Sequence, residues 1–294
     1  MKHEKKKRMG KGGLTAAAVT CLLLLGAAVL LGLRPDWRYV AVDAITHLET
    51  GTPLETWEAA GEDMVVYTLE ELRQQPWAVF DQSLLLVNED CPLPETFSPE
   101  LVTYPDTQLQ MDPAAAAAYP ALARAVEERF GQPLYIMSAY RSREEQGETR
   151  EENGAVAALP GQSEHETGLA LDVYVPYYAG AGFLKSEAGQ YVNDSCWQFG
   201  FIIRYPYYGT GETGCGYEPW HLRYVGMPHG EIIMKNRLTL EQYLEGLEEG
   251  RWYQYGDWRI ARQAGEMLSL PADTVSAVIS QDHRGGYVVT VRLS

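Results

Sequence analysis

The chain has 294 residues, with 24 Lys/Arg against 40 Asp/Glu and a formal charge of −16. An acidic balance of this size excludes nucleic acid as a partner and suits a domain kept soluble by its own charge. Cys21, Cys91, Cys196 and Cys215 are too few and too irregularly spaced for a disulfide scaffold or a four-thiolate metal site. One bridge, most simply Cys196 with Cys215, is compatible with an oxidising compartment, as is a set of unpaired thiols.

Met1 to Lys11 carries six Lys/Arg against Glu4, a net +5 that leaves −21 for the remainder. Residues 12–33 form an uncharged run of 22 residues dense in Ala, Leu and Val, long enough to cross a hydrocarbon core as a helix. A cleaved signal peptide shares the basic start, but its apolar region spans only about 7–15 residues. The expectation is an uncleaved transmembrane helix over 12–33 that follows a cytoplasmic tail over 1–11. The positive-inside bias then places residues 34 onward outside the cell, as a single-pass protein of the cell membrane.

Residues 34–79 mix short apolar pieces with turn signals and read as a stalk or accessory segment. A main domain is expected over 80–250, opening with a buried strand at Ser83–Asn88. Asp112 followed by Pro113 predicts a helix that runs to Phe130 and stops at Gly131. A strand is expected at Leu134–Met137, then a helix from Arg143 capped by Ser142. The loop over 153–162 leads to a strand at Leu169–Val175. A helix at 186–198 is followed by strands at Phe201–Tyr205 and Trp220–Val225, separated by a Gly- and Tyr-rich loop. Thr239 and Gln242 stand at capping-box spacing on another helix. Residues 251–294 read as a small extension ending in a hairpin, Val275–Ser280 with Tyr287–Leu293.

The chemistry concentrates in two stretches: Ser163-Glu164-His165-Glu166-Thr167-Gly168-Leu169-Ala170-Leu171-Asp172, and Glu218-Pro219-Trp220-His221. Two imidazoles and one carboxylate, His165, Asp172 and His221, match the donor count of a catalytic zinc site with a fourth position left for water. Glu218 is then the unligated carboxylate available to move protons. In a strand, Glu218 and His221 would face opposite ways, so a bend at Pro219 is required to aim both at one site. Glu164 and Glu166 read as solvated flanks of His165. His3, His47, His229 and His283 have no neighbouring ligand pattern.

Both stretches resemble the bacterial zinc D-alanyl-D-alanine carboxypeptidases of VanY type, related to the VanX dipeptidases. Ser163, His165, Gly168, Ala170 and Asp172 fill the pattern Ser-x-His-x-x-Gly-x-Ala-x-Asp, and Glu218, Trp220 and His221 fill Glu-x-Trp-His. Tyr140-Arg141-Ser142 with Gln146, Phe199 through Pro206, and Arg223 through Gly226 extend the likeness over roughly residues 80–250. Cys215 departs from the pattern, which more usually has an aliphatic residue there. The resemblance implies an α+β, hedgehog/VanX-like fold with an antiparallel sheet flanked by helices. It also implies Zn2+ held by His165, Asp172 and His221, and Glu218 as general base and acid. Arg141 would polarise and bind the substrate, with Ser163 and Gln146 holding the terminal D-alanine. The implied partners are peptidoglycan stem peptides or lipid-linked precursors ending in D-alanine.

Three other activities fit parts of the pattern. An L,D-carboxypeptidase of the same fold, acting on tetrapeptide stems, would leave the metal motif unchanged. A non-catalytic cell-wall-binding module would not need all four metal-site residues. A two-carboxylate glycosidase using Glu218 and Asp172 would leave both histidines without a task. The aromatic residues near the second stretch divide between packing, expected for Trp220 and Tyr224, and a wall for the stem peptide, expected for the loop tyrosines.

Overall fold

The computed structural model describes residues 20, 26, 32–46, 54–58, 64–154, 157–282 and 284–294. The span expected over 12–33 lies largely outside them, and no helix among the described residues is long and apolar enough to cross a membrane. Two units are distinguished, Met1–Leu48 and Glu49–Ser294. The first contributes a helix over Pro35–Thr46.

In the second unit the predicted helix is present as Pro113–Phe130. The Asp112 carboxylate accepts from the Ala114 and Ala115 amides, and Gly131 ends the helix at φ 65°, a left-handed conformation that glycine adopts without penalty. Ala115, Tyr119, Leu122 and Val126 form its buried stripe. Ser142 and Glu145 close a capping box on the helix Arg143–Asn153, and Thr239 with Gln242 does the same for Leu240–Glu245.

Four strands form an antiparallel sheet: β6 (Tyr135–Ser138), β7 (Ala170–Tyr174), β8 (Phe201–Ile203) and β9 (His221–Tyr224), in the order β6-β7-β9-β8. Alternation along the strands separates two faces. Leu171, Val173, Phe201, Ile203 and Leu222 pack with the helices Pro113–Phe130 and Glu187–Ser195 in one apolar core. Asp172, His221 and Arg223 occupy the alternate positions and take the other face.

The segments on either side of this domain meet each other. β1 (Glu55–Trp57) and β3 (Ala78–Asp81) join β10 (Trp252–Tyr255), β11 (Trp258–Ala264), β13 (Thr274–Gln281) and β14 (Gly286–Leu293) in a six-stranded sheet ordered β1-β10-β11-β14-β13-β3. The expected C-terminal hairpin is therefore its β13–β14 pair. Residues read as stalk supply one edge strand, β1, and the first half of the other, β3, which runs parallel to β13. β2 (Met64–Thr68) pairs separately with β12 (Met267–Pro271), and β4 (Val102–Thr103) with β5 (Gln110–Met111). Apolar side chains of this second sheet, including Tyr253, Ile260 and Val288, share a core with Ile202, Val225, Ile232 and Ile233 of the first domain.

Ser83–Asn88 is not a strand, which corrects the expectation for this segment. Leu84, Leu85, Leu86 and Val87 are buried as their composition demands, but side chains take the place of a ladder. The Leu84 amide donates to Ser280 Oγ at 2.9 Å, and Arg223 Nη2 donates to the carbonyls of Ser83 and Leu85 at 3.0 and 2.8 Å. A buried backbone whose polar groups are met in this way needs no neighbouring strand.

Gly168 sets the entry into β7. Its φ is 75°, and a Cβ there would lie 2.7 Å from the Asp112 amide nitrogen and 2.8 Å from Leu101 Cδ2. Gly168→Ala should cost about 2–4 kcal/mol in urea denaturation, from the left-handed backbone and the overpacking together. Gly216→Ala, with open space around its Cβ position, should stay within about 0.5 kcal/mol of the unaltered chain.

Candidate metal centre

The register of the first sheet makes Asp172 on β7 the direct partner of His221 on β9. His165 arrives from a 3-10 turn over Glu164–Thr167, and Gly168 then reverses the chain into β7. His165 Nδ1 donates to the carbonyl of Ala139 at 2.6 Å. A carbonyl can only accept, so Nδ1 carries the hydrogen and the Nε2 lone pair is left free. His165 Nε2 lies 3.3 Å from Asp172 Oδ2, and His221 Nδ1 lies 3.1 Å from Asp172 Oδ1. One ligand atom from each of the three residues falls within 4.8 Å of the others.

His165 Nε2 and Asp172 Oδ1 are buried without a hydrogen-bond partner in the protein. Buried polar atoms left unpaired in a cluster are costly unless something is held between them. Two imidazole nitrogens and a carboxylate suit zinc, so these three residues fit the ion that their donor types lead one to expect. Among the described residues they are the group able to hold a metal.

Glu218 reaches the same place because its segment turns. The His221 amide donates to the Glu218 carbonyl at 3.1 Å, and the Glu218 amide donates to the Tyr205 carbonyl at 3.0 Å. This is the bend that Pro219 was required to make. Glu218 Oε2 stands 3.7 Å from His221 Nδ1. Burial raises the Glu218 pKa from its ordinary value, with the His221 and Arg141 cations opposing and the Asp172 charge adding to the rise. A carboxylate of raised pKa is suited to take up and return a proton.

Arg141 is tied to the turn, its amide donating to the His165 carbonyl at 3.1 Å. Burial lowers its pKa, against the charges of Asp172, Glu166 and Glu218. Its Nε is buried without a partner. Gln146 is buried, its Nε2 donating to the Ala158 carbonyl at 2.8 Å while its Oε1 has no partner. Ser163 is buried too, and its hydroxyl does not cap the 3-10 turn it precedes.

Glu164 and Glu166 are buried, which corrects their assignment as solvated flanks. Glu166 accepts from the Gly161 amide at 2.6 Å and from Arg143 Nε at 3.1 Å, pinning the loop that leads to the site. Glu164 Oε1 accepts from Arg204 Nε at 2.7 Å and Arg223 Nη1 at 2.6 Å. Burial alone would raise its pKa, but the two guanidinium charges hold it far below the carboxylate range. Arg204 also pairs with Glu241, at 2.9 Å from Nη1 and 2.5 Å from Nη2. One signal for this cluster was present in the chain: Arg204 and Arg223 interrupt apolar strands, and a charge buried there requires a counter-charge.

Trp220 and Tyr224 pack against the first core, as expected. The loop tyrosines are engaged with one another and with the fold. Tyr207 stacks edge-on with Tyr208 and Tyr217, and the Tyr217 hydroxyl donates to Asn193 Oδ1 at 2.9 Å. Cys91, Cys196 and Cys215 are free thiols, so the Cys196–Cys215 bridge is absent. His229, at the start of the helix His229–Lys235, is bonded to the Tyr243 hydroxyl at 2.6 Å and to Thr290 Oγ1 at 3.0 Å, joining two helices to β14 rather than serving the site.

Residues 108–227 match the family described as VanY, D-alanyl-D-alanine carboxypeptidase. A D-alanyl-D-alanine carboxypeptidase of Enterococcus faecium is 44% identical over 118 residues, which span 39% of this chain and 37% of that protein. The bifunctional D-Ala-D-Ala dipeptidase and carboxypeptidase VanXYC of Enterococcus gallinarum is 33% identical over 184 residues, 57% of this chain and 96% of that one.

Among solved structures, the vancomycin resistance D,D-dipeptidase VanXYg bound to a D-Ala-D-Ala phosphinate analogue superposes with a TM-score of 0.63 at 27% identity, over 78% of this chain and 98% of its own. The D,D-pentapeptidase VanY of the VanB-type cassette, in complex with Zn(II), gives 0.50 at 31% identity over 56% and 99%. The LD-carboxypeptidase LdcB gives 0.51 at 30% identity over 66% and 95%. With the paired motifs folded into one site and the VanXYC relative matched over 96% of its length at 33% identity, the chain belongs to the VanY family of D-alanyl-D-alanine carboxypeptidases.

Proposed function

We propose that this chain is a zinc-dependent carboxypeptidase that removes the C-terminal D-alanine from peptidoglycan stem peptides. The observation that carries this is the convergence of His165, Asp172 and His221, with Glu218 Oε2 only 3.7 Å from the His221 ligand nitrogen. The likeness to a VanY structure in complex with Zn(II) supports the choice of ion. The uncharged run over 12–33 is proposed to anchor the catalytic domain at the outer face of the cell membrane, where stem peptides and lipid-linked precursors are reached.

His165 Nε2, the Asp172 carboxylate and His221 Nδ1 would hold the zinc. When bound, the ion supplies Lewis acidity that brings the pKa of a water toward neutrality and offsets oxyanion charge. Glu218 takes the proton from the attacking water and delivers it to the leaving amine. Its raised pKa lets one group serve as base and then acid. Arg141 offers an always-charged fork to the substrate carboxylate or the developing oxyanion. That local cation matters in a domain whose charge repels anionic peptides. Ser163 and the unpaired Oε1 of Gln146 are proposed to hold the terminal D-alanine.

The likeness to LdcB favours a second activity at the same site, L,D-cleavage of tetrapeptide stems. Mass spectrometry of defined pentapeptide and tetrapeptide stems, with and without a chelator, separates the two. Loss of one D-alanine from the pentapeptide alone identifies a D,D-carboxypeptidase, and loss from the tetrapeptide an L,D-carboxypeptidase. Turnover that survives complete zinc removal would exclude the metallopeptidase mechanism.

Glu218→Ala should lower kcat/KM for D-alanine release by about 10²–10⁴-fold while the purified variant still binds one equivalent of zinc. Normal turnover by this variant would remove Glu218 from the mechanism.

The metal-free protein should also show a pH signature. Burial by itself would lower the His221 pKa, but the Asp172 and Glu164 carboxylates override it and push it up to about 9 from the ordinary 6.5. A histidine raised in the folded state contributes stability that is complete below the unfolded pKa and is lost as pH rises through the folded one. His165, lowered by burial, acts in the opposite sense and only below its ordinary value. Between pH 7 and 9.5 the metal-free chain should lose on the order of 1–3 kcal/mol in urea denaturation, and His221→Gln should flatten that slope.

A further inference from the structure

The two imidazoles of the metal centre are supported differently on their far sides. His165 Nδ1 meets a neutral backbone carbonyl, that of Ala139. His221 turns Nδ1 toward Asp172 and Glu218, so its Nε2 points away from the site into the protein. There it faces Glu164 Oε2 at 3.9 Å. Both atoms are buried and neither has a hydrogen-bond partner. A ring that gives its Nδ1 lone pair to a metal must carry its hydrogen on Nε2, and a buried N–H requires an acceptor. Glu164 Oε2 is the acceptor present, and the gap is too narrow for an intervening water.

The rest of Glu164 is arranged to hold that oxygen in place. Its other oxygen, Oε1, is occupied by Arg204 Nε and Arg223 Nη1 at 2.7 and 2.6 Å. Arg223 is fixed further by the carbonyls of Ser83 and Leu85, and Arg204 by Glu241. The four charged groups, two Arg and two Glu, sum to zero, so the cluster keeps Glu164 ionised without burying a net charge.

We propose that Glu164 is a positioning residue for the metal. Its carboxylate fixes the Nε2–H tautomer and ring orientation of His221, and makes His221 a stronger donor than the carbonyl-supported His165. The proposal rests on the metal site argued above. A carboxylate behind a ligating histidine raises the basicity of the ligand, and its loss typically weakens metal binding by about 10–100-fold.

The test compares the full chain with Glu164→Gln and with the control Glu166→Gln. Glu166 is a neighbouring buried carboxylate whose bonds go to Gly161 and Arg143 rather than to a metal ligand. Zinc dissociation constants are measured by chelator competition, metal-free thermal unfolding is followed in parallel, and the Co2+-substituted proteins are compared by visible absorption. Glu164→Gln should bind zinc about 10–100-fold more weakly with a shifted Co2+ spectrum, while Glu166→Gln keeps the affinity and spectrum of the unaltered chain. In the zinc-loaded unaltered chain, nitrogen-15 NMR should show a downfield, slowly exchanging Nε2–H on His221. That signal decides the matter even if Glu164→Gln does not fold.

Equal zinc affinity and Co2+ spectra for Glu164→Gln and the unaltered chain would overturn the assignment. So would a His221 Nε2–H that exchanges freely with water. An unaltered chain that binds no zinc would instead overturn the metallopeptidase proposal beneath it.

Discussion

A carboxylate buried between two guanidinium groups organises this molecule. Glu164 sits one residue before His165 of the candidate metal group, Arg204 directly follows β8, and Arg223 is on β9 two residues after His221. Each charge would be expensive to bury alone, and together with Glu241 they cancel. The pairing therefore forces the 3-10 turn that carries His165, the strand that carries His221 and the end of β8 to arrive at one place. Removing any one partner would leave the others charged in a dry interior, so the cluster acts as a condition on the geometry of the site more than as a source of stability.

The same cluster ties the site to the flanking sheet. Arg223 donates to the carbonyls of Ser83 and Leu85, and the Leu84 amide between them is met by Ser280 on β13. His229 spans from the Tyr243 hydroxyl to Thr290 on β14. Its pKa is lowered by burial to about 3, so it remains a neutral bridge across the physiological range. The second sheet thus continues the hydrogen-bonding of the catalytic domain, and a shared apolar core lies between them.

Local signals were reliable wherever the physics is local. The Asp112 cap, Pro113 and Gly131 mark a helix by groups within a few residues of one another, and the structure puts its ends where they indicate. The candidate metal group, His165, Asp172 and His221, was legible because its residue types carry the chemistry, and the fold brings one ligand atom of each within 4.8 Å of the others. Ser83–Asn88 misled because a run of buried aliphatic residues reads as a strand, whereas its polar backbone is satisfied by side chains distant in sequence. Glu164 and Glu166 misled for a related reason: a carboxylate flanking an exposed-looking motif shows nothing locally of the arginines 40 or more residues away that bury it, or of Arg143 beyond the loop.

From its residues alone, then, this chain discloses a basic, uncharged-run N-terminus, an acidic main body, and a donor set of two histidines and two carboxylates suited to zinc and to proton transfer. Those properties follow from side-chain chemistry and short spacing. Tertiary structure decided the rest: the register that sets Asp172 opposite His221, the turn that aims Glu218, the sheet built from two segments nearly 200 residues apart, and the burial of Glu164. Each of these depends on pairing between distant segments, and such pairing is specified by the sum of many contacts rather than by any motif.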